Sequence, residues 1–516
     1  MQLKINKNFL ILFVLNLLLY LPSLFEPISY GDECIYLTLG NAFRKGLVFY
    51  RDIHDNKPPF LYLVAALTDS FRLFRFLTII WNLTHLYIIL RLLENLTKNK
   101  ITPLVGGLIF SFLLLIFEGR VANGEVYMMM PITLAVYLLL TRINRKDFSF
   151  GFLIGLLFSV GFLFKVPVFF DFIGIIFAFF FLSIESPIFQ KSKKNRFGSL
   201  FKKTISNLIY QIETRKLIGI ILGFSLSILI SIVYYGSKGA LIPYVRSALM
   251  QNIGYLSSWQ GTSSGLIFRI LALGFFSILL FWQRKKFPFP LLAFFIWFIF
   301  GLFGALLSSR PYPHYLIEIV PSLTTLVTIT LDKLSFKPKV KVNQKAIKSV
   351  LLAWSAITLL IFSYIHFKFW WYEQIPYYKN FIRYAIGTID KEEYYRYWGE
   401  KTLNNYLLAD FINKTVKKEE SIFIWGDAAC IYAISNHQPP GRYTVNYHIF
   451  DFNGFRETIE AIQKKEPRLI IKLNDEKTSW PELDSYIGKY YYKLLVPSIK
   501  DSIFIRNHKL SNKIAI

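Results

Sequence analysis

Asp32 and Glu33 stand side by side just after the first long apolar run, and further along the same connection Lys57 is followed by two prolines, Pro58 and Pro59. Proline fixes the backbone around it. An acidic pair and a stiffened cationic turn, placed where a helix leaves a bilayer, point to chemistry on a membrane-held substrate. Other ionisable or hydrogen-bonding groups recur at the ends of later apolar runs: Glu125, Lys165, Arg310, His314 and Tyr315. No zinc-ligand spacing, phosphate-binding Walker loop or Gly-x-Ser-x-Gly elbow is present. The chemistry must therefore come from scattered carboxylates and cations.

The elements that position these groups are membrane helices. More than half of the 516 residues are hydrophobic (54%), 18% are aromatic, and the apolar residues fall in blocks long enough to cross a bilayer. We read spans at 8–26, 73–93, 101–118, 125–141, 149–165, 166–184, 216–235, 265–283, 287–309, 315–332 and 349–367. That is a polytopic α-helical membrane protein of about eleven spans, with a domain at 1–367 and a separate domain at 368–516. The first run ends in Phe25-Glu26-Pro27 with no small-residue cleavage site, so it reads as a membrane helix and not a signal peptide.

Lys and Arg exceed Asp and Glu by 59 to 33, a net charge of +26. In a soluble protein that excess would suggest nucleic acid. Here it concentrates in alternate connections: Lys98 with Lys100, Arg142 with Arg145 and Lys146, Lys191 to Lys216, Arg284 to Lys286, and Lys333 to Lys348. The positive-inside rule then sets a cytoplasmic amino terminus in the plasma (inner) membrane, and no nucleic-acid partner is expected. The first connection, 27–72, and everything after the last span face outward.

The carboxy-terminal segment reads as a small soluble α/β domain. Ile422 to Trp425, Arg468 to Lys472, Tyr492 to Val496 and Ser502 to Arg506 have strand character, and Glu457 to Lys465 is helical. There are two cysteines, Cys34 and Cys430, both on the outer side by this topology. Free, buried thiols are the expectation, with a bridge the alternative.

Depth separates an enzyme from a transporter. Arg75, Glu125, Lys165, Asp171, Arg269 and Glu318 fall in the outer part of their spans, and His85 alone lies near mid-membrane. A transporter places ionisable groups near the midplane in both halves. The observed distribution describes a cavity opening on the outer leaflet.

Five segments in this order resemble the GT-C membrane glycosyltransferases. They are Gly31-Asp32-Glu33 with the aromatics after it, Gly46 to Tyr50, Asn56-Lys57-Pro58-Pro59, Asn123-Gly124-Glu125, and Arg310-Pro311-Tyr312-Pro313-His314-Tyr315 running to Pro321. The similar branch holds protein O-mannosyltransferases, the aminoarabinose transferase of lipid A and the rhizobial lipopolysaccharide core transferases. The resemblance implies transfer of a sugar from a polyprenyl-phosphate carrier to an acceptor hydroxyl on a glycan, lipid or protein, with inversion. It implies Asp32 as the base; a solvated or helix-capping aspartate is the plain alternative. Lys57 would meet the donor phosphate, or merely snorkel from an interfacial helix. Arg310, His314, Tyr315 and Lys165 would also bind phosphate, or form an interfacial belt. Glu125 would be a partner of the site, or simply a favourable carboxylate at a helix amino terminus.

Glu33 stays open between orienting the acceptor, binding a metal, and a salt bridge with Arg44 or Lys45. Magnesium or manganese would suit Asp32 and Glu33 as hard oxygen donors, although no complete ligand set is visible. Glu318, an acid shortly after His314-Tyr315, departs from the family pattern. A transporter or flippase of lipid-linked glycans would share the span count and cationic connections. A receptor or assembly factor working through its terminal domain would make the ordered motifs accidental.

Overall fold

The structure, a computed structural model, describes residues 7–142, 144–181, 214–251, 264–335, 344–497 and 499–507. Seven helices among these are long and apolar enough to cross a membrane: Lys7–Leu24, Phe71–Leu96, Gly124–Thr141, Thr214–Ser237, Gly265–Lys286, Pro313–Ser335 and Ala346–His366. Four shorter apolar helices, Thr102–Ile116, Phe148–Phe164, Val168–Phe180 and Phe289–Ala305, occupy the remaining positions read from hydropathy. Each sequence-derived span thus coincides with an apolar helix. Much of the cationic connection from Lys191 to Lys216, and residues 336–343 of the last one, lie outside the described residues.

The chain divides into two compact units. One comprises Met1–Tyr20, Leu77–Ile232 and Asn252–Tyr372, and the other Leu21–Phe76, Val233–Gln251 and Glu373–Ile516. In the first unit, helices Phe148–Phe164 and Thr214–Ser237 approach so closely that only glycine fits. A Cβ on Gly155 would lie 2.0 Å from the Ile220 carbonyl oxygen, and one on Gly223 2.2 Å from that of Phe152. Gly151 with Gly155 and Gly219 with Gly223 are two small-xxx-small pairs facing each other. In lipid, where burying apolar surface gains little, such backbone approach is what holds helices together.

In the second unit half of the connection at 27–72 is helical. Gly31–Arg44 and Phe60–Ala66 form helices that cross closely at Gly40, where a Cβ would stand 2.7 Å from the Ala65 carbonyl carbon. Asp32 and Glu33 occupy the first turn of Gly31–Arg44, where the helix dipole favours negative charge. Ten of its fourteen residues are buried. Its mixed polarity is that of a helix packed on protein, which is why hydropathy reads it as a loop.

The terminal segment forms a four-stranded sheet in the order β1-β2-β4-β3, with β1 Ile422–Trp425, β2 Leu469–Lys472, β3 Tyr491–Leu494 and β4 Ser502–Arg506. β1 and β2 are parallel, joined by a crossover that includes helix Phe455–Lys465, and the other pairs are antiparallel. Side chains alternate along β1: Ile422 and Ile424 join a core with Leu408, Ile431 and Ile471, while Phe423 and Trp425 join another with Ile462, Ile470 and Trp480. Both faces are covered, so this strand is apolar throughout.

The expectation of free thiols is corrected. Cys34 and Cys430 form a disulfide, with their Cα atoms 4.6 Å apart. Helix Ala429–Ser435 packs on helix Gly31–Arg44 and brings together residues separated by 396 positions, a proximity that spacing cannot reveal.

Candidate active site

Neighbouring residues on a helix point about 100° apart, so Asp32 and Glu33 face different surroundings. Glu33 turns inward and ion-pairs with Arg75 at 2.5 Å; Arg75 also meets Glu26 at 3.3 Å, and Tyr377 donates its hydroxyl proton to Glu26. All three charged groups are buried, and breaking such a cluster by removing one partner costs about 3–5 kcal/mol. Of the three alternatives for Glu33, a salt bridge with Arg44 or Lys45 does not form. Arg44 lies roughly 16 Å further along the helix axis, where it donates to the Ala66 carbonyl at 3.2 Å, and Lys45 donates to the Asn436 carbonyl at 2.9 Å.

Asp32 keeps an outward aspect. Its carboxylate accepts from the Tyr36 hydroxyl one turn on, at 3.1 Å, and pairs with Lys57 Nζ at 3.4 Å. The side chain is 29% exposed, against 1% for Glu33 and 1% for Asp55, so of these three carboxylates it alone is open to an incoming hydroxyl.

The turn carrying Lys57 is locked from both sides. Its carbonyl accepts from the Tyr50 hydroxyl at 2.8 Å, and its backbone N–H donates to Tyr62 Oη at 3.0 Å. Tyr62 in turn donates to Asp55 Oδ2 at 2.8 Å. Burial and the nearby Asp55 carboxylate push the Tyr50 and Tyr62 phenols well above their ordinary range, so both remain protonated donors. Tyr50 adopts φ 70°, a costly backbone for a bulky residue that the surrounding aromatics enforce. Held this way, the Lys57 ammonium lies 5.1 Å from the Tyr36 ring centre and 3.8 Å from Asp55 Oδ2. One cation is shared by an accessible and a buried carboxylate.

Sequence reasoning missed the residues behind Lys57. Asp55 Oδ1 is 3.6 Å from His448 Nε2, the His448 ring stands edge-on to His54 with centres 4.8 Å apart, and His54 Nδ1 lies 3.3 Å from Ser247 Oγ. Asp55, close to Lys57 in the motif, was discoverable by position. His448 had no signal, since it arrives from the terminal segment.

The other unit gathers most of the remaining predicted residues. Lys165, closing helix Phe148–Phe164, ion-pairs with Glu125, buried in the first turn of Gly124–Thr141. Its ammonium stands 4.2 Å from the Tyr315 ring centre. Tyr315 packs on His314, whose Nδ1 lies 3.1 Å from Glu118 Oε2, and Glu118 sits at φ 63°. Arg310, half-buried, leads into the same 3-10 turn, Pro313–Ile319. Glu318 is buried beside Asp171, which accepts from Trp297 Nε1 at 2.6 Å, and lies within electrostatic reach of Lys165 and Glu125.

Against known proteins, residues 57–210 match the family described as dolichyl-phosphate-mannose-protein mannosyltransferase. Crystal structures of ArnT from Cupriavidus metallidurans superpose on nearly the whole chain. The one bound to undecaprenyl phosphate has TM-score 0.54 at 12% identity, covering 97% of this chain and 98% of that one. This chain has the GT-C fold. The ArnT structure in the apo state aligns with this chain at TM-score 0.52 and 11% identity over the same shares. No curated protein matches it in sequence.

Proposed function

We propose that the chain is an inverting glycosyltransferase. It moves a sugar from a polyprenyl-phosphate carrier to a hydroxyl of a glycolipid, cell-surface glycan or protein at the outer face of the plasma membrane. The observation that carries this reading is the accessible Asp32 carboxylate paired with Lys57 on a turn locked by Tyr50 and Tyr62. The GT-C fold and the match beginning at Lys57 support it, and the lipid phosphate bound by ArnT supplies the donor class.

Asp32 takes the proton of the acceptor hydroxyl as that oxygen attacks the anomeric carbon. The bond from this carbon to the phosphate oxygen breaks on the opposite face, and its electron pair leaves with the lipid phosphate. Attack and departure on opposite faces invert the configuration. Phosphate leaves as an anion, so it needs positive charge more than an acid. We assign Lys57 to that charge, and Lys165, Arg310, His314 and Tyr315 to donor phosphate binding, with Glu125 holding Lys165 in place. Glu33, committed to Arg75, anchors the start of the helix that presents Asp32.

Asp32 and Glu33 turn to different partners, and among the described residues no three His, Cys, Asp or Glu side chains converge as metal ligands. The pair in this arrangement does not fit one divalent ion, and no step is routed through a metal. The disulfide supports the outward orientation of the first connection and the terminal segment, since such bonds persist in oxidising compartments.

The test is transfer from radiolabelled polyprenyl-phosphate sugars in membranes containing the wild type or Asp32→Asn. Loss of the base is expected to slow transfer at least about 100-fold at equal protein level. Full activity in the variant would remove Asp32 from the chemistry.

A further inference from the structure

A lysine shared by two carboxylates poses a problem for any anionic ligand. If Lys57 turns its ammonium towards a phosphate, Asp55 loses its nearest cation, and Asp55 is 1% exposed. A buried carboxylate left without compensation is costly. Tyr62 supplies one hydrogen bond, on Oδ2. On the Oδ1 side stands His448 Nε2, at 3.6 Å, just beyond hydrogen-bond reach. Among the described residues neither ring nitrogen of His448 has a hydrogen-bond partner, although the side chain is 0% exposed. Buried polar atoms are nearly always satisfied, so an orphaned imidazole aimed at a buried carboxylate needs a reason.

We propose that His448 is the reserve partner of Asp55: when Lys57 engages the phosphate of a lipid-linked donor, the His448 N–H closes on Asp55 and holds its charge. The terminal segment thereby takes part in donor binding. His448 is a positioning residue that acts through Asp55 on Lys57 and touches no reacting atom. Contacts of this kind are commonly long in the ligand-free state and tighten in the complex. His54, edge-on to His448 and anchored near Ser247, fixes the plane of the ring. The inference deepens the proposed function and rests on it.

Binding of undecaprenyl phosphate to the full-length protein in detergent separates the two claims. No binding by the wild type would defeat the functional reading itself. With a binding wild type, His448→Asn is expected to weaken affinity about tenfold, the value of one hydrogen bond to a charged group. Asp55→Asn removes the competing carboxylate, so it should bind as tightly as the wild type or tighter, and the double variant should match Asp55→Asn. In a Lys57→Ala background His448→Asn should cost less than about twofold, because coupled residues are not additive. Unchanged affinity in His448→Asn, or the same factor lost in every background, would overturn the proposal. Should His448→Asn fail to fold, Asp55→Asn decides alone, and weaker binding in that variant overturns it.

Discussion

Adjacent in the chain, Asp32 and Glu33 divide their roles by environment. Glu33 faces a buried guanidinium while Asp32 stays partly exposed beside Lys57, and a one-residue step on a helix is enough to separate them. The motif could name both acids without telling them apart. The buried histidines give this scale its own test. Burial, opposed in part by Asp55 and Asp32 and reinforced by Lys57, pushes the His448 pKa down to about 4, and burial with His448 and Arg442 drives His54 well down too. Below its ordinary pKa near 6.5 the unfolded chain binds a proton that the folded one refuses, so stability falls as pH drops through this window. From pH 7 to pH 5 His448 alone should cost about 2 kcal/mol. Thermal melting at the two pH values checks this: His448→Asn should lose less stability on acidification than the wild type, and an equal loss would show that His448 does not titrate there.

Elements were legible where one periodicity ruled them. Eleven apolar runs became apolar helices, and β1 and β4 span stretches read as strands, β1 as a short apolar run ending at Gly426-Asp427. Gly31–Arg44 escaped because its polar residues meet protein partners, so its pattern belongs to neither a span nor a solvated helix. The glycine pairs of Phe148–Phe164 and Thr214–Ser237 carry the prediction at this scale. Gly155→Ile drives a side chain into the backbone at Ile220 and should destabilise the protein by about 3 kcal/mol. A lowered melting temperature in detergent is the expected result; an unchanged one would mean that these helices do not meet there.

At the scale of the whole molecule, two units are each assembled from distant stretches of chain, and the second is bridged internally by Cys34–Cys430. If residues 27–72 and 373–516 are exported, the bridge forms outside the cytoplasm. Acid-quenched cells, denatured and treated with a maleimide polymer, should show no shifted band until a reductant is added. Cells lacking their extracytoplasmic thiol-oxidising system should then show both thiols free. Two shifted thiols in normal cells without reductant would contradict the bridge, and an intact bridge in the deficient cells would contradict the orientation.

Sequence by itself determined the class of molecule, the positions of its spans, the terminal α/β domain and the candidate base with its nearby cation. These follow from local patterns: long runs of apolar residues that only a bilayer rewards, short apolar runs that suit a covered sheet, and prolines that stiffen a turn. The tertiary structure alone decided which acid stays accessible, that Arg75 holds Glu33, that Cys34 meets Cys430, and that His448 stands behind Lys57. Each joins residues remote in sequence or sorts neighbours by burial. Both are outcomes of packing, which no short stretch of chain encodes.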